Sequence, residues 1–151
     1  MTRCAQKYMQ LAIKLAQKGT GKTFPNPLVG AVIVKGAKLV GSGYHKQAGG
    51  PHAEIAALRK AKKRAKGATL YVTLEPCAHY GKTPPCVDSI VESGIKKVYL
   101  AMRDPNPLVN GRGIKALRKN GIEVRAGICK VQAKKINADY VARFSKKNGK
   151  I

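Results

Sequence analysis

Five short runs rich in β-branched residues alternate with stretches of helical periodicity, and this alternation restricts the chain to few architectures. The runs at 31–34, 39–44, 68–74, 97–101 and 122–126 read as strands, each too short for a buried helix. From Arg3 to Lys18 the residues Tyr8, Met9, Leu11, Ala12, Leu15 and Ala16 recur at helical spacing until Gly19 stops them. An alanine-rich stretch starting at His52 leads into the cationic run Arg59 to Lys66. Further helices are expected from Val87 to Ser93, from Gly113 to Asn120, and from about Lys130 to Phe144. The pattern predicts an α/β domain over 1–144: a three-layer α/β/α sandwich whose mixed, largely parallel central sheet follows an initial hairpin. Ser145 to Ile151 reads as a loose basic tail.

The helix starts carry the chemistry. His52-Ala-Glu54 opens one helix, and Pro76-Cys77 is followed by Cys86 at the start of another. One imidazole and two thiolates suit zinc. Three protein ligands leave the fourth tetrahedral position for water, as catalytic sites do. Helix N-termini favour thiolate over thiol. Bound Zn²⁺ lowers the pKa of its water towards about 7, and Glu54, two residues beyond His52 on the same helical turn, is close enough to take that water's proton without being a ligand. Two competing readings stand beside this one. A Cys77–Cys86 disulfide leaves His52 and Glu54 unexplained, and a purely structural zinc module leaves Glu54 unused. Glu75, next to Pro76, reads as a partner for a ligand or a loop amide rather than a catalytic acid. Cys4 and Cys129 lie outside every motif and read as small apolar packers.

His-x-Glu followed by Pro-Cys and a second Cys is the zinc-deaminase signature, with one departure. Eight residues, Ala78 to Pro85, separate the cysteines here instead of two. With Pro25-Asn-Pro-Leu-Val-Gly30, Gly43-Tyr-His45, Pro51-His-Ala-Glu54, Tyr71-Val-Thr-Leu-Glu-Pro-Cys77, the loop ending Thr-Pro-Pro-Cys86 and Asp104-Pro-Asn-Pro107, the chain resembles the riboflavin-biosynthesis pyrimidine deaminases of RibD type. The resemblance runs from about Tyr8 to Asn137. It implies the cytidine-deaminase-like sandwich, a Zn²⁺ cofactor on His52, Cys77 and Cys86, and Glu54 as the proton shuttle. The reaction implied is hydrolytic deamination of 2,5-diamino-6-(ribosylamino)pyrimidin-4-one 5'-phosphate by zinc-bound hydroxide.

The resemblance further places Asn26, His45 and His79 around the pyrimidine ring and implies a substrate contact at Ala53, with Lys82 and Thr83 as candidates for the phosphate and Asp104 and Asn106 for the ribose. Plainer readings remain open for several of them. Asn26 sits between two prolines as a turn residue would, Lys82 and Thr83 fit a solvated loop tip, and Asp-Pro-Asn-Pro is ordinary turn chemistry. An assembly of two or more copies is implied as well. Many members carry a reductase domain on the same chain. The residues after Asn137-Ala-Asp-Tyr leave no room for one, so a separate reductase protein is expected unless the chain is an excised piece.

Charge bears on partners. Lysine and arginine total 30 against 7 acidic residues, a formal net charge of +23 that attracts polyanions and phosphorylated metabolites without choosing between them. A nucleic-acid or nucleoside deaminase on the same scaffold is therefore the alternative. It is not favoured, because the chain has no Trp, two Phe and six Tyr, and Tyr80 is the one aromatic inside the cysteine loop. The run Arg59 to Lys66 reads as a solvated helix face. No apolar run is long enough to span a bilayer and the N-terminus lacks a secretory pattern, so no membrane partner and a cytoplasmic address are expected.

Overall fold

The computed structural model describes residues 3–81 and 83–148. In chain order the elements are α1 (Arg3–Gln17), β1 (Gly30–Lys35), β2 (Lys38–Tyr44), α2 (Ala53–Ala61) with a 3-10 turn (Lys62–Ala65), β3 (Thr69–Val72), α3 (Cys86–Glu92), β4 (Lys97–Leu100), α4 (Arg112–Lys119), β5 (Glu123–Ala126), α5 (Lys130–Ile136) and α6 (Ala138–Asn148). All five strands share one sheet in the order β2-β1-β3-β4-β5. The sheet is mixed, as expected. β1 runs antiparallel to both β2 and β3, while β3, β4 and β5 are mutually parallel. The crossover through α2 returns the chain beside β1 in the direction of β2, which makes the β1–β3 join antiparallel and starts the parallel half at β3.

Both faces of the sheet are covered, and β1 shows why its sequence is apolar throughout. Ala31 and Ile33 point into a cluster with Ala57, Leu70, Val72, Ile90, Leu100 and Leu117. Their neighbours Val32 and Val34 point the other way, into a cluster with Met9, Ala12, Tyr71, Ile128 and Ala133. Helix α2 is seated by its smallest residues. Ala53, Ala57 and Ala61 are fully buried at a four-residue interval, and a Cβ at Gly43 of β2 would lie 2.6 Å from Ala56 Cβ. Only glycine lets α2 approach this strand, and α2 carries Glu54.

Three expectations need correcting. The single helix expected over 130–144 is two helices, interrupted at Asn137, whose side chain bonds the backbone of Leu28 instead of facing water. Helix α6 then continues to Asn148, so Ser145 belongs to it and bonds the Val141 carbonyl. No glycine or proline occurs before Gly149 to stop it. The rest of the expected tail, 149–151, lies outside the described residues. Cys4 is exposed rather than packed, whereas Cys129 packs against the second cluster. Among the described residues no helix is long and apolar enough to cross a membrane.

Candidate metal centre

The strand directions bring four loops to one end of the sheet. Because β1 is antiparallel to its neighbours, its start lies beside the ends of β2 and β3, and the parallel β4 ends there too. This is the crevice beyond the carboxyl ends of strands, at the point where strand direction switches, where open α/β sheets bind ligands. A cleft of about 440 Å³ occupies it.

His52 stands at the N-cap of α2 but spends no side-chain hydrogen bond on the cap, which leaves its imidazole available. Its Nδ1 lies 3.1 Å from Cys86 Sγ and 4.0 Å from Cys77 Sγ. The three ligand atoms all fall within 4.8 Å of one another. A tetrahedral zinc ion about 2.0–2.3 Å from each would hold them roughly 3.4–3.8 Å apart, so small adjustments suffice. Cys86 is the first residue of α3, and its amide donates to Cys77 Sγ at 3.3 Å.

The Cys86 thiol also hydrogen-bonds Cys77 and holds that thiol at about 4, well below its usual range. The same bond, together with burial, pushes Cys86 up. Two sulfurs this close do not both ionise without a cation between them. Both are free thiols, so the disulfide reading falls. One imidazole and two thiols beside a cleft, with no fourth protein ligand among the described residues, fit a zinc ion that keeps an open position.

Glu54 lies in the first turn of α2, lines the cleft and is 4% exposed. Burial is the main cause that raises its carboxyl to about 7, the range in which a group both takes and gives a proton at neutral pH. Of the seven acidic residues, Glu54, Glu75 and Asp104 are buried in this cleft, so the lysines and arginines face few acids outside it.

Glu75 serves loop amides, as one of its two expected roles. Its Oε1 accepts from Asp104 N at 3.2 Å and Gly111 N at 3.0 Å, and its Oε2 accepts from Ile114 N at 3.1 Å. It thereby ties the end of β3 to the 104–111 loop and the first turn of α4. Gly113 completes the fit, since a Cβ there would collide with the Pro76 carbonyl. Glu75→Ala strands three amide donors, and a urea titration should show a loss of about 3 kcal/mol. Glu75→Gln turns one acceptor into a donor facing Ile114 N and should cost less. Equal stability of both variants and the parent would show that water replaces the carboxylate.

Asn26, His45, Ala53, His79, Thr83, Asp104 and Asn106 all line the cleft, and Lys82 lies outside the described residues. With His45 Nδ1 donating to the Pro51 carbonyl at 3.0 Å, Nε2 accepts from Asn26 Nδ2 at 3.2 Å, and the Asn26 Oδ1 is left for a ligand. The His45 ring meets His52 edge-on at 5.7 Å. His79 Nδ1 is buried without a hydrogen-bond partner among the described residues. Asp104 Oδ1 accepts from Asn106 N at 2.9 Å, and Asn106 Oδ1 from Leu108 N at 3.0 Å, so the turn chemistry read from Asp-Pro-Asn-Pro is present on the cleft wall. Tyr140 of α6 also lines the cleft and donates to Asp104 Oδ1 at 2.8 Å. Sequence reasoning passed over Tyr140 and Asn137. A polar Asn inside an otherwise helical apolar pattern was the available signal for the second.

Residues 2–102 match the family described as the cytidine and deoxycytidylate deaminase zinc-binding region. The chain is 58% identical over 135 residues to the riboflavin biosynthesis protein RibD of Aquifex aeolicus, which spans 89% of this chain and 38% of that protein. It is 52% identical over 137 residues to the diaminohydroxyphosphoribosylamino-pyrimidine deaminase of Buchnera aphidicola, covering 91% of this chain and 93% of that one. A solved RibD structure from Acinetobacter baumannii superposes with a TM-score of 0.93 at 53% identity, over 95% of this chain and 41% of that one. The chain thus spans about two-fifths of the length of the longer RibD relatives.

Proposed function

We infer the function from the family to which the chain belongs, the zinc-binding cytidine and deoxycytidylate deaminases and, within them, the diaminohydroxyphosphoribosylaminopyrimidine deaminases. The chain hydrolyses 2,5-diamino-6-(ribosylamino)pyrimidin-4-one 5'-phosphate to the 5-amino-6-(ribosylamino)uracil phosphate and ammonia, a step of riboflavin biosynthesis. His52, Cys77 and Cys86 hold Zn²⁺. The ion, when bound, lowers the pKa of a coordinated water to about 7 and so supplies a nucleophile at neutral pH. The observation that carries the reading is a buried carboxyl, Glu54, on the same cleft as a three-ligand cluster.

Glu54 takes a proton from the attacking water and returns it to the 2-amino nitrogen as the C–N bond breaks, so the carboxyl ends each cycle as it began. Asn26, held by His45, offers its Oδ1 to a ring N–H, and the unpartnered Nδ1 of His79 offers a second polar contact. Asp104 and Asn106 stand for the ribose and Thr83 for the phosphate, with Lys82 added at the phosphate by the family resemblance alone. Ribose reduction falls to a reductase active site not formed by these residues.

One observation favours a second reading, a polynucleotide substrate: Phe24 and Tyr80, whose neighbours Pro25, His79 and Gly81 line the cleft, are 81% and 74% exposed. Ammonia release by zinc-loaded protein separates the readings. Release confined to the pyrimidinone phosphate supports the first. Turnover of cytidine or a single-stranded oligonucleotide, without the pyrimidinone, would keep the chemistry and replace the substrate. Comparing the ribosylamino and ribitylamino compounds tells whether deamination comes before reduction.

A further inference from the structure

The stretch that presents Asn26 to the cleft is poor in backbone hydrogen bonds of its own. Pro25 and Pro27 have no N–H to give, and the stretch precedes the first ladder bond of β1. Thr23 accounts for the backbone of Asn26, and His45 N reaches Val29 O. The rest comes from the far end of the chain. Asn137 closes a two-point clamp on one residue: Leu28 N donates to its Oδ1 at 2.8 Å, and its Nδ2 donates to Leu28 O at 2.8 Å. Six residues on, Arg143 donates to the Pro25 carbonyl at 3.0 Å and lies over the Phe24 ring at 5.6 Å. Tyr140, from the same helix, lines the cleft and bonds Asp104 there.

We propose that Asn137 is a positioning residue for the deamination, fixing the Pro25–Leu28 loop through the Leu28 backbone so that Asn26 meets the substrate, with α6 as a required wall of the active site. The proposal rests on the deaminase reading above. Its physical basis is specific: a buried side chain, 6% exposed, uses both halves of its amide on a single backbone unit 109 residues away. A residue that merely joined α5 to α6 would need no such match, because its backbone carbonyl already accepts from Val141 N to start α6. The metal ligands come from other loops, so releasing the clamp should loosen substrate binding and leave the metal alone.

The test uses Asn137→Ala and Asn137→Asp in the full zinc-loaded chain. The Asp variant keeps the size and the acceptor for Leu28 N but sets an anion against Leu28 O, so it guards against a variant that fails to fold. KM for the pyrimidinone phosphate should rise by at least about tenfold, with kcat changing less. The visible spectrum of the cobalt-substituted protein should not move, and exchange of the Leu28 amide should accelerate in the Ala variant. KM within twofold of the parent in both variants would overturn the clamp, as would a KM change matched by an altered cobalt spectrum. A parent chain that releases no ammonia from the pyrimidinone would instead defeat the substrate assignment. The clamp would then be judged on Leu28 exchange and on KM for whichever rival substrate turns over.

Discussion

Glu54→Gln should abolish ammonia release, by about 10³-fold or more, while the variant still binds one zinc ion per chain. Glutamine fills the same volume in the first turn of α2 and leaves the three ligand side chains untouched. It cannot accept a proton from water and return it to the leaving nitrogen. Burial is the largest influence on the Glu54 carboxyl and raises it to about 7 in the metal-free protein. In water a carboxyl so placed would be a weak base at neutral pH; here it can act in both directions. A neutral amide carries no ionisation cost on burial, so the variant should also melt no lower than the parent. Turnover by Glu54→Gln within tenfold of the parent would remove Glu54 from the reaction and point to water or His79 as the proton carrier.

The parts of this site that were legible in the sequence are those whose chemistry is local. His52 and Glu54 lie two residues apart at the start of one helix, so a helix prediction alone places both beside a common axis. Cys77 and Cys86 were recognisable because a Pro-Cys after a strand and a second Cys at a helix start, following His-x-Glu, fit the zinc-deaminase signature, and the strands of the sheet declared themselves through β-branched runs. The antiparallel join of β1 to β3 was less visible, since it depends on how the α2 crossover closes. Of the C-terminal contribution the sequence offered one signal, the polar Asn137 inside a helical pattern, and nothing that names its partner. Asn137 acts through a two-point clamp on Leu28 and Tyr140 through one bond to Asp104, 109 and 36 residues away, and no periodicity records contacts of that kind.

The same separation of local and long-range contacts shapes what removing the metal should do. Both hydrophobic clusters are complete without the ligands, except that Cys86 is buried beside the first of them. The chain should therefore stay folded when a chelator takes the zinc, but lose activity entirely and regain it when zinc is returned. Stability should fall as well. A ligand that binds only the folded state at a free concentration a thousand times its Kd contributes about 4 kcal/mol, which for a chain of this size corresponds to a melting temperature roughly 10 °C higher. Part of that gain comes from the cysteines. Without a cation, the hydrogen bond to Cys77 and burial raise Cys86, so one sulfur stays protonated; zinc between them would make both thiolates. Cys86→Ser replaces a soft anion with a hydroxyl that ionises far less readily. Zinc affinity should drop by at least about a hundredfold, since changes to groups that only support a ligand already cost up to that much. Full activity after exhaustive chelation, or in Cys86→Ser at stoichiometric zinc, would separate the reaction from this cluster and leave Glu54 without the nucleophile it is placed to serve.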